Sequence, residues 1–68
     1  MKILLEDRVN GGRVVTVWTG VDYETEVWDS TGIIDTIRYD QMSRAVVGHR
    51  DAVRRLAGHL ENEDRAEG

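Results

Sequence analysis

The 68-residue chain contains no cysteine, no proline and no phenylalanine. The first absence excludes disulfides and thiolate metal sites, and fits a reducing compartment. The second leaves no proline-rich linker and no proline break in any helix or strand. Long apolar runs are missing too: nothing approaches the roughly 20 residues that a membrane-spanning helix needs. Met1-Lys2-Ile3-Leu4-Leu5 opens like a secretion signal, but Glu6, Asp7 and Arg8 end it too early. A cytoplasmic protein without signal or transmembrane segment is the expectation. There is no P-loop, no Ser-His-Asp pattern and no glycine-rich phosphate cradle; Gly11-Gly12 belongs to a hairpin turn. No cofactor, no metal and no small-molecule ligand are expected.

What is present points to one small domain. A chain of this length buries only about 60% of the surface its unfolded form exposes, so its stability is thin. Small domains add disulfides, a metal or a partner chain. With the first two set aside, a partner remains.

The net charge is −4, and it is unevenly spread. Residues 1–39 carry 4 basic and 7 acidic groups, residues 40–60 carry 4 and 2, and residues 61–68 carry 1 and 4. The basic stretch is the one with helical spacing. The last eight residues are acidic and apolar-poor, which suits a frayed tail.

At Asp40 the period changes. Before it, apolar and polar residues alternate; after it, Met42, Val46, His49, Val53, Leu56 and Leu60 recur every three or four residues. Strands are expected over Lys2–Val9, Arg13–Thr19, Tyr23–Asp29 and from Ile33 or Ile34 to Tyr39, joined by short turns. Short links favour an antiparallel meander. Asp40 suits a helix N-cap that accepts the Ser43 N–H, and the helix would start at Gln41 and stop at Gly58 or Asn62. The expected fold is therefore α+β. An antiparallel three- to four-stranded sheet carries one C-terminal amphipathic helix on one face. It makes one ββββα domain over 1–60, followed by the tail 61–68.

One helix covers one sheet face. Side chains alternate across a strand, and the sequence suggests Ile3, Leu5, Val15, Val17, Val27, Ile37 and Tyr39 beneath the helix. The opposite face would then hold Trp18, Trp28, Val14, Ile34 and Leu4, with Glu24, Glu26 and Arg38. Such a face is too apolar for an ordinary wet surface.

Thr16-Val17-Trp18-Thr19-Gly20-Val21-Asp22, then Glu24-Thr25-Glu26-Val27-Trp28, Arg38-Tyr39, Ala45 and Gly48-His49 follow in an order that resembles a family of short proteins encoded by bacteriophages of actinobacteria. The family pattern runs T-V-W-x-G-x-D-H, E-T-M-V-F, R-Y and A-x-x-G-H, and the likeness spans about residues 14–53. Tyr23 stands where the pattern has His, and Glu26 where it has Met. The first departure weakens any histidine-based site that the resemblance could carry over. The resemblance implies a phage accessory protein and no particular chemistry.

Several constellations compete with bland readings. His49 falls centrally on the apolar helix face, as a core histidine bonded to Tyr39 or Thr25 would; the sharper reading is a catalytic site with Asp22 and Glu24. His59 lies too far along the helix to share a metal with it. Glu24 and Glu26 share a strand face, but acid–base work needs a cleft that splits their pKa values. Arg44, Arg50, Arg54 and Arg55 form an outer helix stripe that a nucleic-acid-binding protein would want, against the net acidity of the chain. Val47 and Gly48 are placed on the outer face, where a mid-helix glycine costs about 1 kcal/mol relative to alanine unless something packs on it. They form a secondary interface candidate.

No catalytic residues are therefore assigned. The functional expectation is a non-enzymatic, phage-type accessory protein acting by protein–protein interaction. It would form a homodimer through a face with Trp18, Trp28, Val14, Ile34, Glu24, Glu26 and Arg38, or bind a host or phage protein there. The alternatives are a small nucleic-acid-binding protein using the arginine stripe, and an enzyme using Asp22, Glu24 and His49.

Overall fold

A computed structural model describes residues 1–67, with side chains through Gly58. Four strands, β1 (Lys2–Val9), β2 (Gly12–Trp18), β3 (Tyr23–Asp29) and β4 (Gly32–Tyr39), precede one helix, α1 (Met42–Glu67). The sheet order is β1-β2-β3-β4 and every pairing is antiparallel. The fold is the expected α+β meander with the C-terminal helix packed against it.

The turns set the register. Asn10 (φ 44°) and Gly11 (φ 90°) make the two-residue connection between β1 and β2, the geometry for which Asn-Gly is preferred. It pairs Val9 with Gly12, and hence Asp7 with Val14 and Leu5 with Thr16. The next hairpin pairs Trp18 with Tyr23, Thr16 with Thr25 and Val14 with Val27. Directly paired residues share a face. Val14 and Thr16 therefore lie with Val27 and Thr25, beneath the helix.

This corrects the face assignment for β2. Val14, Thr16 and Trp18 are on the covered face, and Val15 and Val17 are on the open one. Both sides of β2 are apolar enough for a core, so alternation alone could not choose. Two irregularities shift the outer strands as well. A bulge at Leu4 turns Ile3 to the open face while Leu5 stays on the covered one. A second shift, near Trp28, puts Ile33 opposite Trp28 on the open face and Asp35 opposite Val27 on the covered one, leaving Ile34 unpaired between them.

The core is a cluster of Val14, Val27, Ala52 and Leu56, with Val9, Ile37 and Val53 packed against it. Burying a Val or Leu side chain contributes about 1.5–3 kcal/mol, so these few residues supply much of the drive to fold. The helix stripe that meets the sheet is Ala45, Gly48, His49, Ala52 and Leu56. Met42 is half exposed, and Val46 and Val53 flank the contact. Small residues at 45, 48 and 52 let α1 approach the strands closely. Gly48 thus faces inward, against Tyr39, and is not on the outer surface; Val47 is, at 66% exposure.

The Ala45 N–H donates to the Gln41 carbonyl at 3.0 Å. Gln41 is therefore the cap residue. Asp40 stands one position earlier with its carboxylate turned to Arg44 at 3.4 Å rather than to Ser43. The helix continues past both Gly58 and Asn62. The side chains of residues 59–67 and all of Gly68 lie outside the described residues, and with them the placement of His59 and the expectation of a frayed acidic tail.

Candidate functional site

Two arrangements carry chemistry, one on each face of the sheet. On the covered face, β1, β2, β3 and α1 each contribute one side chain to a polar chain. Thr25 Oγ1 lies 2.7 Å from Thr16 Oγ1, Thr16 Oγ1 lies 2.8 Å from His49 Nδ1, and His49 Nε2 lies 2.7 Å from Asp7 Oδ2. A carboxylate only accepts, so Nε2–H donates to Asp7. In the neutral ring Nδ1 then accepts from the Thr16 hydroxyl, which in turn accepts from Thr25. Among the described residues, no buried side-chain nitrogen or oxygen is left without a partner.

His49 is buried as expected, but its partners are Thr16 and Asp7 rather than Tyr39 or Thr25. Hydroxyl, imidazole and carboxylate in this order match the parts of a nucleophilic triad. Access decides against that use. Thr16 and His49 are 1% and 2% exposed, and a nucleophile must reach a substrate carbonyl. Of the four groups Asp7 is the exposed one, and it borders a groove with Arg50, Val53 and Arg54. The network is a tie between the sheet and the helix, buried at Thr16, Thr25 and His49 and open to solvent at Asp7. A carboxylate at position 7, in phase with Leu5 and Val9, was the signal for it in the sequence.

The open face is a grid of three rows across the four strands. Arg8, Arg13, Trp28 and Ile33 form the first; Glu6, Val15, Glu26 and Thr36 the second; Ile3, Val17, Glu24 and Arg38 the third. Arg13 lies 4.7 Å over the Trp28 ring and 3.6 Å from Glu6. The Trp28 indole N–H donates to Glu26 at 3.3 Å, and Arg38 stands 3.7 Å from Glu24. Val15 and Val17 are only 5% and 3% exposed although no helix covers them. Glu6, Arg13, Glu24, Glu26 and Arg38 surround them in the grid, and the stems of such side chains shield apolar surface.

Of the expected interface residues, Trp28, Glu24, Glu26 and Arg38 do share this face. Val14 does not: it is wholly buried beneath α1. Trp18 is on the covered side, its ring 4.9 Å from Tyr23. Ile34 sits at the β4 bulge, lining a groove beside the helix. The two indoles thus lie on opposite faces, and a homodimer through a face bearing both has no basis in the geometry. Ile33, Ile3 and Arg13 take the vacated places.

The other constellations are dispersed. Asp22 accepts the Thr19 hydroxyl at 2.8 Å in the β2–β3 turn, Glu24 is on the open face and His49 is on the covered one, so the three form no common site. The arginine stripe is half neutralised. Arg44 pairs with Asp40 and Arg55 with Asp51, at 3.4 and 3.0 Å, leaving Arg50 and Arg54 without an ion pair among the described residues. Among the described residues no group of three or more His, Cys, Asp or Glu is placed to hold a metal ion, and no helix is long and apolar enough to cross a membrane. Compared with protein-family models, curated proteins and solved structures, the chain gives no match.

Proposed function

We propose that the chain is a non-enzymatic protein-interaction module that binds its partner through the open sheet face, around Trp28. The supporting observation is that face itself. A four-stranded sheet is covered by a helix on one side only, and the bare side carries an indole stacked under a guanidinium, with Ile33 beside it and Ile3 at the opposite corner. Tryptophan and arginine dominate interface hot spots, where a rim of polar contacts excludes water from an apolar centre. Arg13 and Glu26 are the polar groups against the indole, and Glu6, Glu24 and Arg38 lie further across the face. The likeness to phage-encoded proteins directs the search toward host and phage proteins as partners.

The experiment is affinity capture from a bacterial host lysate with the parent chain and two variants. A protein held by the parent and by Val47→Glu, on the outer helix surface, but lost with folded Trp28→Glu fits the proposal. Equal retention by both variants, or none by the parent, rules it out.

A further inference from the structure

The helix touches β4 less than any other strand, and a groove of about 210 Å³ remains between them. Its floor is Val27, Ala52 and Leu56, so it opens directly onto the core cluster. Its wall is Ile34, 46% exposed. Its rim carries one acid and one base, Asp35 and Arg55, which are not joined to each other. Arg55 Nη2 rests on Asp51 at 3.0 Å, and Asp35 Oδ1 accepts the Thr36 N–H at 2.9 Å. Among the described residues Asp35 makes no ion pair. By occupying a backbone donor of an edge strand, Asp35 also disfavours the addition of a further strand. What this edge offers a partner is side chains.

We propose that the groove is the contact between two copies of the chain related by a two-fold axis. In such an interface residue i of one copy meets residue j of the other, and j meets i. A rim with one acid and one base satisfies that condition with itself: Asp35 of each copy faces Arg55 of the other. The two Ile34 side chains cover the Ala52–Leu56 floors. A foreign partner would need this charge pattern built to match, whereas a second copy brings it by symmetry. The burial gained would supplement a core whose buried apolar members, among the described residues, are Val, Ala and Leu. This contact does not use the open face.

Light scattering at high micromolar concentration should find the parent chain dimeric. Asp35→Arg and Arg55→Asp should each weaken the dimer at least about tenfold, since like charges would then face one another. The two together should restore it. Circular dichroism on each variant reports the fold, and Trp28→Glu should leave the dimer intact, which separates this contact from the open-face reading. Should Asp35→Arg not fold, Ile34→Glu combined with Arg55→Asp takes its place and should give folded monomers. A monomeric parent, single variants that dimerise like the parent, a double charge swap no tighter than the singles, or a dimer abolished by Trp28→Glu would overturn the proposal.

Discussion

The Tyr39 ring occupies the space that a side chain at position 48 would need: a β-carbon on Gly48 would lie 2.0 Å from the Tyr39 hydroxyl oxygen and 2.3 Å from Cζ. Helix propensity alone favours Gly48→Ala by about 1 kcal/mol. The clash reverses the sign, because either the ring or the whole helix must move, at about 1–3 kcal/mol. Gly48→Ala should therefore lower the urea midpoint in the parent and raise it in a Tyr39→Ala background. An increase in both backgrounds would mean that the helix and Tyr39 are not in contact.

The buried polar chain ranks its members. Thr16→Val keeps the shape but leaves His49 Nδ1 and the Thr25 hydroxyl without partners, at about 1–3 kcal/mol. Thr25→Val leaves the Thr16–His49 bond in place and should cost less. His49→Ala adds a void to the lost bonds and should cost at least as much as Thr16→Val. Chemical denaturation of the three variants checks the order.

Gly12 and Gly11 are neighbours with different demands. A β-carbon on Gly12 would come within 2.6 Å of the Trp28 carbonyl oxygen and 3.0 Å of Leu56 Cδ2, whereas one on Gly11 meets nothing within 4 Å. Gly12→Ala should destabilise by about 1–3 kcal/mol. Gly11→Asn puts its side chain in open space at a positive φ that Asn adopts more readily than most residues, and should cost less than Gly12→Ala. Thermal melts of the pair distinguish a backbone requirement from a packing one.

Arg13 should be visible in the fluorescence of Trp28. In a Trp18→Phe background the remaining indole reports the open face alone. Arg13→Gln should change its emission and its quenching by iodide, with a stability loss of about 0.5–1 kcal/mol for an exposed cation–π contact. Unchanged emission would place the guanidinium elsewhere in solution.

The period change at Asp40, the Asn10-Gly11 turn and the burial of His49 made the element order legible in the sequence. The faces of β2 were not, because Val14, Val15, Val17 and Trp18 are apolar on both sides. The missing information lay in the hairpins. A connection that pairs Trp18 with Tyr23 also pairs Val14 with Val27, and a one-residue shift would exchange the faces. Ile3 and Ile34 were beyond even that argument, since bulges displace them locally. Gly48 falls on the outer side of a helical wheel that weights large apolar residues, while the contact with the sheet is made through Ala45, Gly48 and Ala52. Thr16 carries no signal of its own in the sequence, because β propensity alone accounts for a threonine in a strand.

Each strand here pairs with its chain neighbour, while Asp7 and His49 are 42 residues apart. The order of events in refolding follows from that difference. Three hairpins can close locally, with small loop entropies, before α1 docks and this distant link is made. Asp7→Ala should then speed unfolding while leaving the refolding rate nearly unchanged, as expected for a contact formed after the transition state. Stopped-flow traces of the parent and the variant would show whether the tie between the first strand and the helix is a late latch or part of the nucleus.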